Sequence, residues 1–102
     1  MAEDRLTPEA LATDPDRYVL IDVRGAEEYA AGHVDGALHI PLADLTARLA
    51  EIPTSRSVVT VWGKGGGRSA EGAAILRDSG RSDARWLEGG ANGWSSRKDQ
   101  TD

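Results

Sequence analysis

The chain has 102 residues, the common size of one domain, and its hydrophobic (39%) and charged (28%) fractions are typical of a protein that folds around a core. Its formal net charge of −5 comes from interspersed acids and bases, which argues against nucleic acid or an anionic membrane as a partner. No apolar run approaches the ~20 residues that cross a bilayer, and the polar start of the chain does not resemble a secretory signal. We therefore expect one cytoplasmic domain over residues 1–102, with its core at about 6–94 and a polar, frayed tail at 95–102.

The chain contains no cysteine. This excludes disulfides, thiolate metal ligands and every covalent mechanism that needs a sulfur nucleophile. Its two histidines, His33 and His39, do not have the spacing of paired zinc ligands. We expect no metal and no cofactor.

Short β-branched runs alternate with amphipathic stretches along the chain, which is the pattern of a parallel sheet covered by helices. In the first half, the N-cap residue Thr7 and the following Pro8 predict the start of a helix. The continuous apolar run at 18–21 predicts a strand buried on both faces. The elements predicted here are a helix to about residue 12, a strand at 18–21, a helix at 26–31 closed by Gly32, and a strand at 37–40.

The second half continues the alternation. Leucines and an isoleucine recur at helical spacing between residues 42 and 52, which predicts an amphipathic helix. The elements predicted here are that helix at 42–51, a strand at 57–61, a helix at about 68–78 capped by Gly80, a strand at 84–87, and a short helix at 91–94.

A glycine-rich loop joins the strand at 57–61 to the next helix. Consecutive glycines let successive N–H groups turn toward one oxyanion, and the helix that follows adds its positive end. Arg68 would add a bidentate contact, and Ser69 either donates another hydrogen bond or caps the helix. The predicted anion-binding residues are Gly63, Lys64, Gly65, Gly66, Gly67, Arg68 and Ser69. A plain turn is the alternative, with Lys64 merely solvated, and the order of residues does not match a nucleotide P-loop.

Three further residues are candidates for the edge of this pocket. Asp22 and Arg24 end the first predicted strand, so they would lie at the carboxyl edge of the sheet, where ligands bind in such folds. A local ion pair or turn cap is the simpler interpretation of both. His33 lies in a turn, and its ring is more simply explained by hydrogen bonds that hold that turn.

Ordered motifs over almost the whole chain resemble rhodanese-like domains. In the first half they are Tyr18-Val19-Leu20-Ile21-Asp22-Val23-Arg24, Glu27-Glu28-Tyr29, Gly32-His33-Val34-Asp35-Gly36-Ala37 and Ile40-Pro41. In the second half they are Val58 to Val61, the loop from Gly65 to Ser69, and Leu87-Glu88-Gly89-Gly90 followed by Trp94. The resemblance implies an α/β fold, with a five-stranded, mainly parallel sheet flanked by helices on both faces.

The resemblance also implies an activity. Active members carry a cysteine at the start of the loop, which takes sulfane sulfur from a donor such as thiosulfate and passes the persulfide sulfur to an acceptor. The loop amides hold the anionic sulfur, and the arginine corresponding to Arg68 holds the donor. Related phosphatases of this fold use the same cysteine.

The chain departs from the family at that cysteine. Alignment of the strand end places the missing cysteine at Trp62, whereas counting the shorter family loop back from Arg68 places it at Gly63. We favour Trp62, because loops reading Cys-Gly-Lys-Gly-Gly-Gly-Arg-Ser are familiar in the family. Neither residue is a nucleophile, and an indole would partly fill the cradle. Ser69, with His33 or Asp22 as base, is a poor substitute because a hydroxyl lacks the soft chemistry of sulfur.

Three functional hypotheses follow. The preferred one is a rhodanese-like domain without sulfurtransferase activity that binds a small oxyanion (thiosulfate, sulfate or a phosphate-like group) or acts as a regulatory or protein-interaction module. The second is a thiosulfate sulfurtransferase lineage in which Trp62 is a recent or accidental replacement. The third is a structural, partner-docking domain in which Trp62 plugs a loop that binds nothing.

Overall fold

Five strands form the sheet, and all of their pairings are parallel. The computed structural model describes the backbone of residues 4–99 and the side chains of residues 4–94. The strands are β1 (Arg5–Leu6), β2 (Tyr18–Asp22), β3 (Leu38–His39), β4 (Ser57–Val61) and β5 (Arg85–Leu87). Their order across the sheet is β1-β5-β4-β2-β3. The predicted fold class is thereby confirmed.

Four helices accompany the sheet in the described chain: α1 (Pro8–Thr13), α2 (Ala26–Ala31), α3 (Gly67–Asp78) and α4 (Gly90–Asp99). Short 3-10 segments lie at Pro15–Arg17, Leu42–Asp44 and Thr46–Glu51. The Thr7 side chain accepts a hydrogen bond from the Ala10 amide (3.1 Å), the predicted cap of α1. Within residues 4–99 no helix has the length and apolar character needed to cross a membrane.

Two apolar clusters fill the two sides of the sheet. One contains Val19, Ile21, Val58 and residues of α3, and the other contains Leu20, Val59 and residues of α1 and α4. Strands β2 and β4 pair along five residues, from Tyr18 with Ser57 to Asp22 with Val61. Because both faces of this central pair are covered, the two strands have the continuous apolar runs from which they were predicted.

The predicted helix at 42–51 is wrong. The structure has two 3-10 segments there, Leu42–Asp44 and Thr46–Glu51, and the backbone kinks inside the second at Arg48 (φ −115°, ψ 22°). In a 3-10 helix, residues three apart lie on the same side, so the pairs Leu42/Leu45 and Leu49/Ile52 can each face the core. The spacing that was taken for one α-helix therefore serves two tighter turns.

Other boundaries also differ from the prediction. Strand β1 was not predicted from its own residues, since two residues carry too little pattern. Strands β3 and β5 are shorter than predicted, and Ser79 caps α3 while Gly80 follows it with φ 108°. Helix α4 continues through 95–99, which were predicted to fray, because neither glycine nor proline follows Gly93 to stop it. The end of the predicted tail, 100–102, lies outside the described residues.

Candidate functional site

The residue at the predicted nucleophile position, Trp62, directly follows β4 at the carboxyl edge of the sheet. Its indole is half-buried and packs on the apolar cluster beneath α3. The ring also reaches across the loop to Gly67: a Cβ built there would lie 2.7 Å from Cε3 and 2.8 Å from Cη2 of Trp62. The indole therefore spans the loop from its first residue to the start of α3.

The first half of the loop is fixed against the start of α4. The Ala91 amide donates to the Trp62 carbonyl (2.7 Å), and the Asn92 amide donates to the Gly63 carbonyl (2.9 Å). Gly90 approaches so closely that a Cβ on it would lie 2.7 Å from the backbone nitrogen and carbonyl carbon of Lys64. These α4 residues were not among the predicted site residues, although the Leu-Glu-Gly-Gly motif that leads into α4 was a signal for them.

The second half of the loop keeps polar groups available. Among the backbone groups of 4–99 and the side chains of 4–94, the amide N–H groups of 64–68 find no acceptor, and the exposed Arg68 makes no hydrogen bond or ion pair. The Lys64 ammonium lies 5.8 Å from the centre of the Trp62 ring, which is within range for a cation–π contact. The free amide N–H groups and the two cations, Lys64 and Arg68, are groups that bind anions, so the loop remains a candidate anion-binding site.

Ser69 is engaged in the structure of the loop. Its hydroxyl is buried and donates to the Gly66 carbonyl (2.6 Å), and Thr60 Oγ1 donates to the Ser69 carbonyl (2.6 Å). Its amide also donates to Gly66 (3.0 Å). The hydroxyl thus holds the start of α3, and neither His33 nor Asp22 contacts it as a base.

Asp22 and Arg24 form a buried ion pair. The Arg24 guanidinium donates to both carboxylate oxygens, with Nη2 2.7 Å from Oδ2 and Nε 3.0 Å from Oδ1. The Arg24 amide donates to Oδ1 (3.0 Å), and Nη2 also donates to the Gly32 carbonyl (2.7 Å). The hydrogen bonds to Asp22 raise the pKa of Arg24 above its ordinary value, against the opposing effect of burial. The pair ties the end of β2 to the end of α2, as the ion-pair interpretation expects.

His33 belongs to a different group, an aromatic stack. Its ring lies 3.8 Å from that of Tyr29, and His39 stacks on Tyr29 at 4.5 Å. His33 Nδ1 donates to the Tyr29 carbonyl (2.8 Å), which agrees with a turn-holding role. His39 Nε2 donates to the Arg24 carbonyl (2.8 Å), a contact that no sequence motif indicated.

A groove of about 610 Å³ lies beside the loop and contains both Arg24 and Arg68. Glu71 adds a carboxylate, while Val23, Leu42 and Ile75 supply apolar walls. Asp22 and His33 do not line it, so the structure brings one of the three predicted edge residues to the loop. Among the described residues no cluster of His, Asp or Glu could hold a metal ion.

The parallel order β1-β5-β4-β2-β3, with a glycine loop between β4 and α3 at the carboxyl edge, defines the class of α/β domains that the sequence motifs indicated. Residues 7–97 match the family profile of the rhodanese-like domain. The chain belongs to the rhodanese-like domain family.

The chain is similar to several curated proteins. It is 41% identical over 74% of its length to the HTH-type transcriptional regulator Rv0324 of Mycobacterium tuberculosis. It is 33% identical over 80% of its length to the sulfurtransferase of Allochromatium vinosum, covering 76% of that protein. It is also 35% identical to the thiosulfate sulfurtransferase GlpE of Pseudomonas entomophila, covering 90% of this chain and 84% of GlpE. The chain spans 33% of the regulator and 20% of another relative, the adenylyltransferase/sulfurtransferase MoeZ of M. tuberculosis.

Solved structures share the fold. A rhodanese-related protein of Thermoplasma volcanium superposes with a TM-score of 0.82 at 22% identity, over 91% of each chain. A rhodanese-like domain protein of Staphylococcus aureus has a TM-score of 0.78 at 28% identity, over 89% of this chain and 90% of its own.

Proposed function

We propose that this domain is a catalytically silent rhodanese-like module that acts by binding, with a small oxyanion held at the loop edge. The observation that carries the proposal is the replacement of the thiol by Trp62, whose indole spans the loop and contacts Gly67. An indole has neither an acidic proton near neutral pH nor a lone pair that attacks sulfur. Without a thiolate, sulfane sulfur has no atom to which it can transfer.

The retained anion chemistry supports binding as the remaining role. The amides at 64–68 have no acceptor among the described backbone and side-chain atoms, and the Arg68 guanidinium is exposed beside them. An oxyanion would satisfy these donors and be attracted by Lys64 and Arg68. Because Trp62 takes part of the same space, we expect weak binding at the outer side of the loop.

A regulatory use of such binding is supported by one relative. The HTH-type transcriptional regulator Rv0324 is 41% identical to this chain over the matched region, which is a third of that protein. We infer that this domain, like a domain within a regulator, reports the presence of an anion or a partner to the machinery around it.

A sulfurtransferase lineage is the second candidate, favoured by the similarity to GlpE and to the A. vinosum sulfurtransferase. A thiosulfate-to-cyanide assay separates the two. We expect no thiocyanate from the protein as it stands, and activity from Trp62→Cys if the rest of the site is intact, with Gly63→Cys as the test of the shorter loop. Thiocyanate produced by the cysteine-free protein would refute the proposal.

Anion binding is tested separately by titrating ¹⁵N-labelled protein with sulfate and with thiosulfate. We expect saturable shifts of the 65–69 amides that are lost in Arg68→Ala. The matched control is Arg85→Ala, which removes another exposed arginine, at the start of β5 and outside the loop. Loop amides that do not move in the unaltered protein would favour the purely structural, partner-docking alternative.

A further inference from the structure

Arg68, Glu71 and Ile75 form one face of α3, and this face lines the groove beside the loop. The three residues are spaced i, i+3 and i+7, so they lie one above another along the helix. The adjacent face of α3, which includes Gly72 and Leu76, is buried against the sheet. The helix therefore presents to the groove a cation, an anion and an apolar side chain, in that order and over about 10 Å.

Both charges on this face are without a protein partner. Arg68 and Glu71 are exposed, and neither makes a hydrogen bond or an ion pair in the part of the chain that the structure describes. Their spacing would permit an ion pair between them, but the two side chains do not form one. Arg24 also lines the groove, but its charge is balanced by Asp22, 2.7 Å away. The free charges of the described lining are thus one guanidinium and one carboxylate.

The apolar part of the groove is held in place by backbone contacts and packing. Val23 and Leu42 line it together with Ile75. The Leu42 amide donates to the Val23 carbonyl (3.1 Å), which joins the segments that follow β2 and β3. Gly72 lets α3 lie close to them, since a Cβ there would be 3.4 Å from Cγ1 of Val23. The apolar surface is therefore formed before any ligand binds.

The groove has the size and lining of a site for a small organic molecule. Its volume is about 610 Å³, which falls within the range of such sites and leaves room beside an oxyanion held at Arg68. A ligand with only an anionic group would lie near the Glu71 carboxylate without a matching charge. A ligand with only a cationic group would meet Arg68 in the same way. A molecule that carries both charges and a hydrocarbon part matches all three features of the groove.

We propose that this groove binds a free amino acid with an apolar side chain, whose carboxylate contacts Arg68 and whose ammonium contacts Glu71. The side chain of the ligand lies against Val23, Leu42 and Ile75. The inference rests on the proposed function in one respect, because Arg68 is the partner of the oxyanion in both. It adds the rest of the ligand, so that the molecule to which the domain responds is an amino acid instead of an inorganic anion.

The first experiment compares four ligands by titration into ¹⁵N-labelled protein. Leucine carries all three groups, isocaproate lacks the ammonium, isoamylamine lacks the carboxylate, and acetyl-leucine has the carboxylate with a neutral nitrogen. We expect leucine to cause saturable shifts of the amides at 42–46 and 71–75, and the other three to bind about fivefold more weakly or worse. Isocaproate that bound as tightly as leucine would overturn the proposal. Equally tight acetyl-leucine would overturn it too, and would assign the groove to the carboxyl terminus of a peptide.

Charge variants test each contact separately. Glu71→Gln should lower the affinity for leucine about fivefold and should not lower that for isocaproate, because only the ammonium contacts Glu71. Arg68→Gln should weaken the binding of both ligands. The matched control is Asp78→Asn, on the exposed last residue of α3, which should alter neither affinity. Equal losses for the two ligands in Glu71→Gln would overturn the placement of the ammonium.

A titration with sulfate separates this inference from the proposed function. Sulfate should move the loop amides at 65–69, and saturating sulfate should weaken the binding of leucine because both ligands use Arg68. Sulfate that binds while leucine does not would overturn the inference and leave the proposed function standing. Leucine that binds in the groove while sulfate leaves the loop amides unmoved would support the inference and refute an oxyanion site at the loop.

Discussion

The six-membered ring of Trp62 lies directly against Cα of Gly67, across the loop that starts α3. Gly67 has φ +50°, a backbone conformation that residues other than glycine adopt with strain. The Trp62 ring also occupies the position that a Cβ on this residue would take. The indole and the glycine therefore fit each other as a pair. A thiol in place of Trp62 would leave this space open, so the replacement changes the shape of the cradle as well as its chemistry.

We expect Gly67→Ala to destabilise the protein by about 1–3 kcal/mol, because the new methyl group overlaps the indole and the backbone is strained. In a Trp62→Ala background the overlap is gone and the cost should fall to that of the backbone alone. Urea unfolding of the two single variants and the double variant measures the coupling. Gly66→Ala is the control: a Cβ there meets nothing within 4 Å, so its cost should be the same in both backgrounds.

We expect Trp62→Ala alone to tighten the binding of sulfate to the loop severalfold, because removing the indole gives the anion access to the inner side of the amides at 64–68. The dissociation constant comes from the shifts of the loop amides. Trp86→Phe, which changes an aromatic residue beneath Gly65, serves as the comparison. An unchanged constant in Trp62→Ala would place the anion away from the indole.

The buried pair Asp22 and Arg24 gives a prediction about stability. Arg24→Met should cost about 3–5 kcal/mol, because it leaves the fully buried Asp22 carboxylate without its charged partner. Asp22→Asn combined with Arg24→Met should recover much of that loss. The matched control is Arg48→Met, which breaks an exposed pair with Glu51 and should cost far less. Comparable losses in the two single variants would contradict the assignment of Asp22–Arg24 as the stabilising pair.

The sequence predicted this fold well where burial is uniform and poorly where it is not. The runs at 18–21 and 57–61 are apolar on both faces, so their pattern leaves little choice of structure. The segment at 42–51 could be folded as one helix or two tight turns with the same leucine spacing, and contacts with the core decide between them. The missing thiol was evident from the sequence at Trp62 and Gly63. The contact of the indole with Gly67 depends on how the loop folds, which its glycines leave open. The hydrogen bonds from the Ala91 and Asn92 amides to the loop carbonyls join segments that are distant in sequence.

The exposed pair Arg48–Glu51 predicts a small dependence of stability on pH. Hydrogen bonds from Arg48 lower the pKa of Glu51 below its ordinary 4.5. A carboxyl whose pKa is lower in the folded state stabilises that state above the unfolded pKa, and the contribution is lost as the pH falls through the folded value. The stability difference between the wild type and Arg48→Met should therefore be larger near neutral pH than at an acid pH below 4.5.

The measurement for that pair is the urea midpoint at both pH values. Arg85→Met removes a cation with no carboxylate partner among the described residues, so its difference from the wild type should change less between the two. A difference for Arg48→Met that grew toward acid pH would contradict the sign derived from Glu51.

The attachment of the loop to α4 is tested by two glycines three residues apart. Gly90 has φ +61°, and a Cβ on it would meet the backbone of Lys64 and the Trp62 carbonyl, neither of which can move without loss of the hydrogen bonds from Ala91 and Asn92. Gly90→Ala should therefore cost about 2 kcal/mol or more and should shift the amides of 62–65.

The control for this prediction is Gly93. It lies inside α4 with nothing within 4 Å of its Cβ position, so Gly93→Ala should stabilise the protein by about 0.5–1 kcal/mol. Thermal unfolding and an amide spectrum of each variant are sufficient. If Gly90→Ala left the amides of 62–65 in place, the start of α4 would not be what holds the loop, and the role given to the Gly89-Gly90 motif would be wrong.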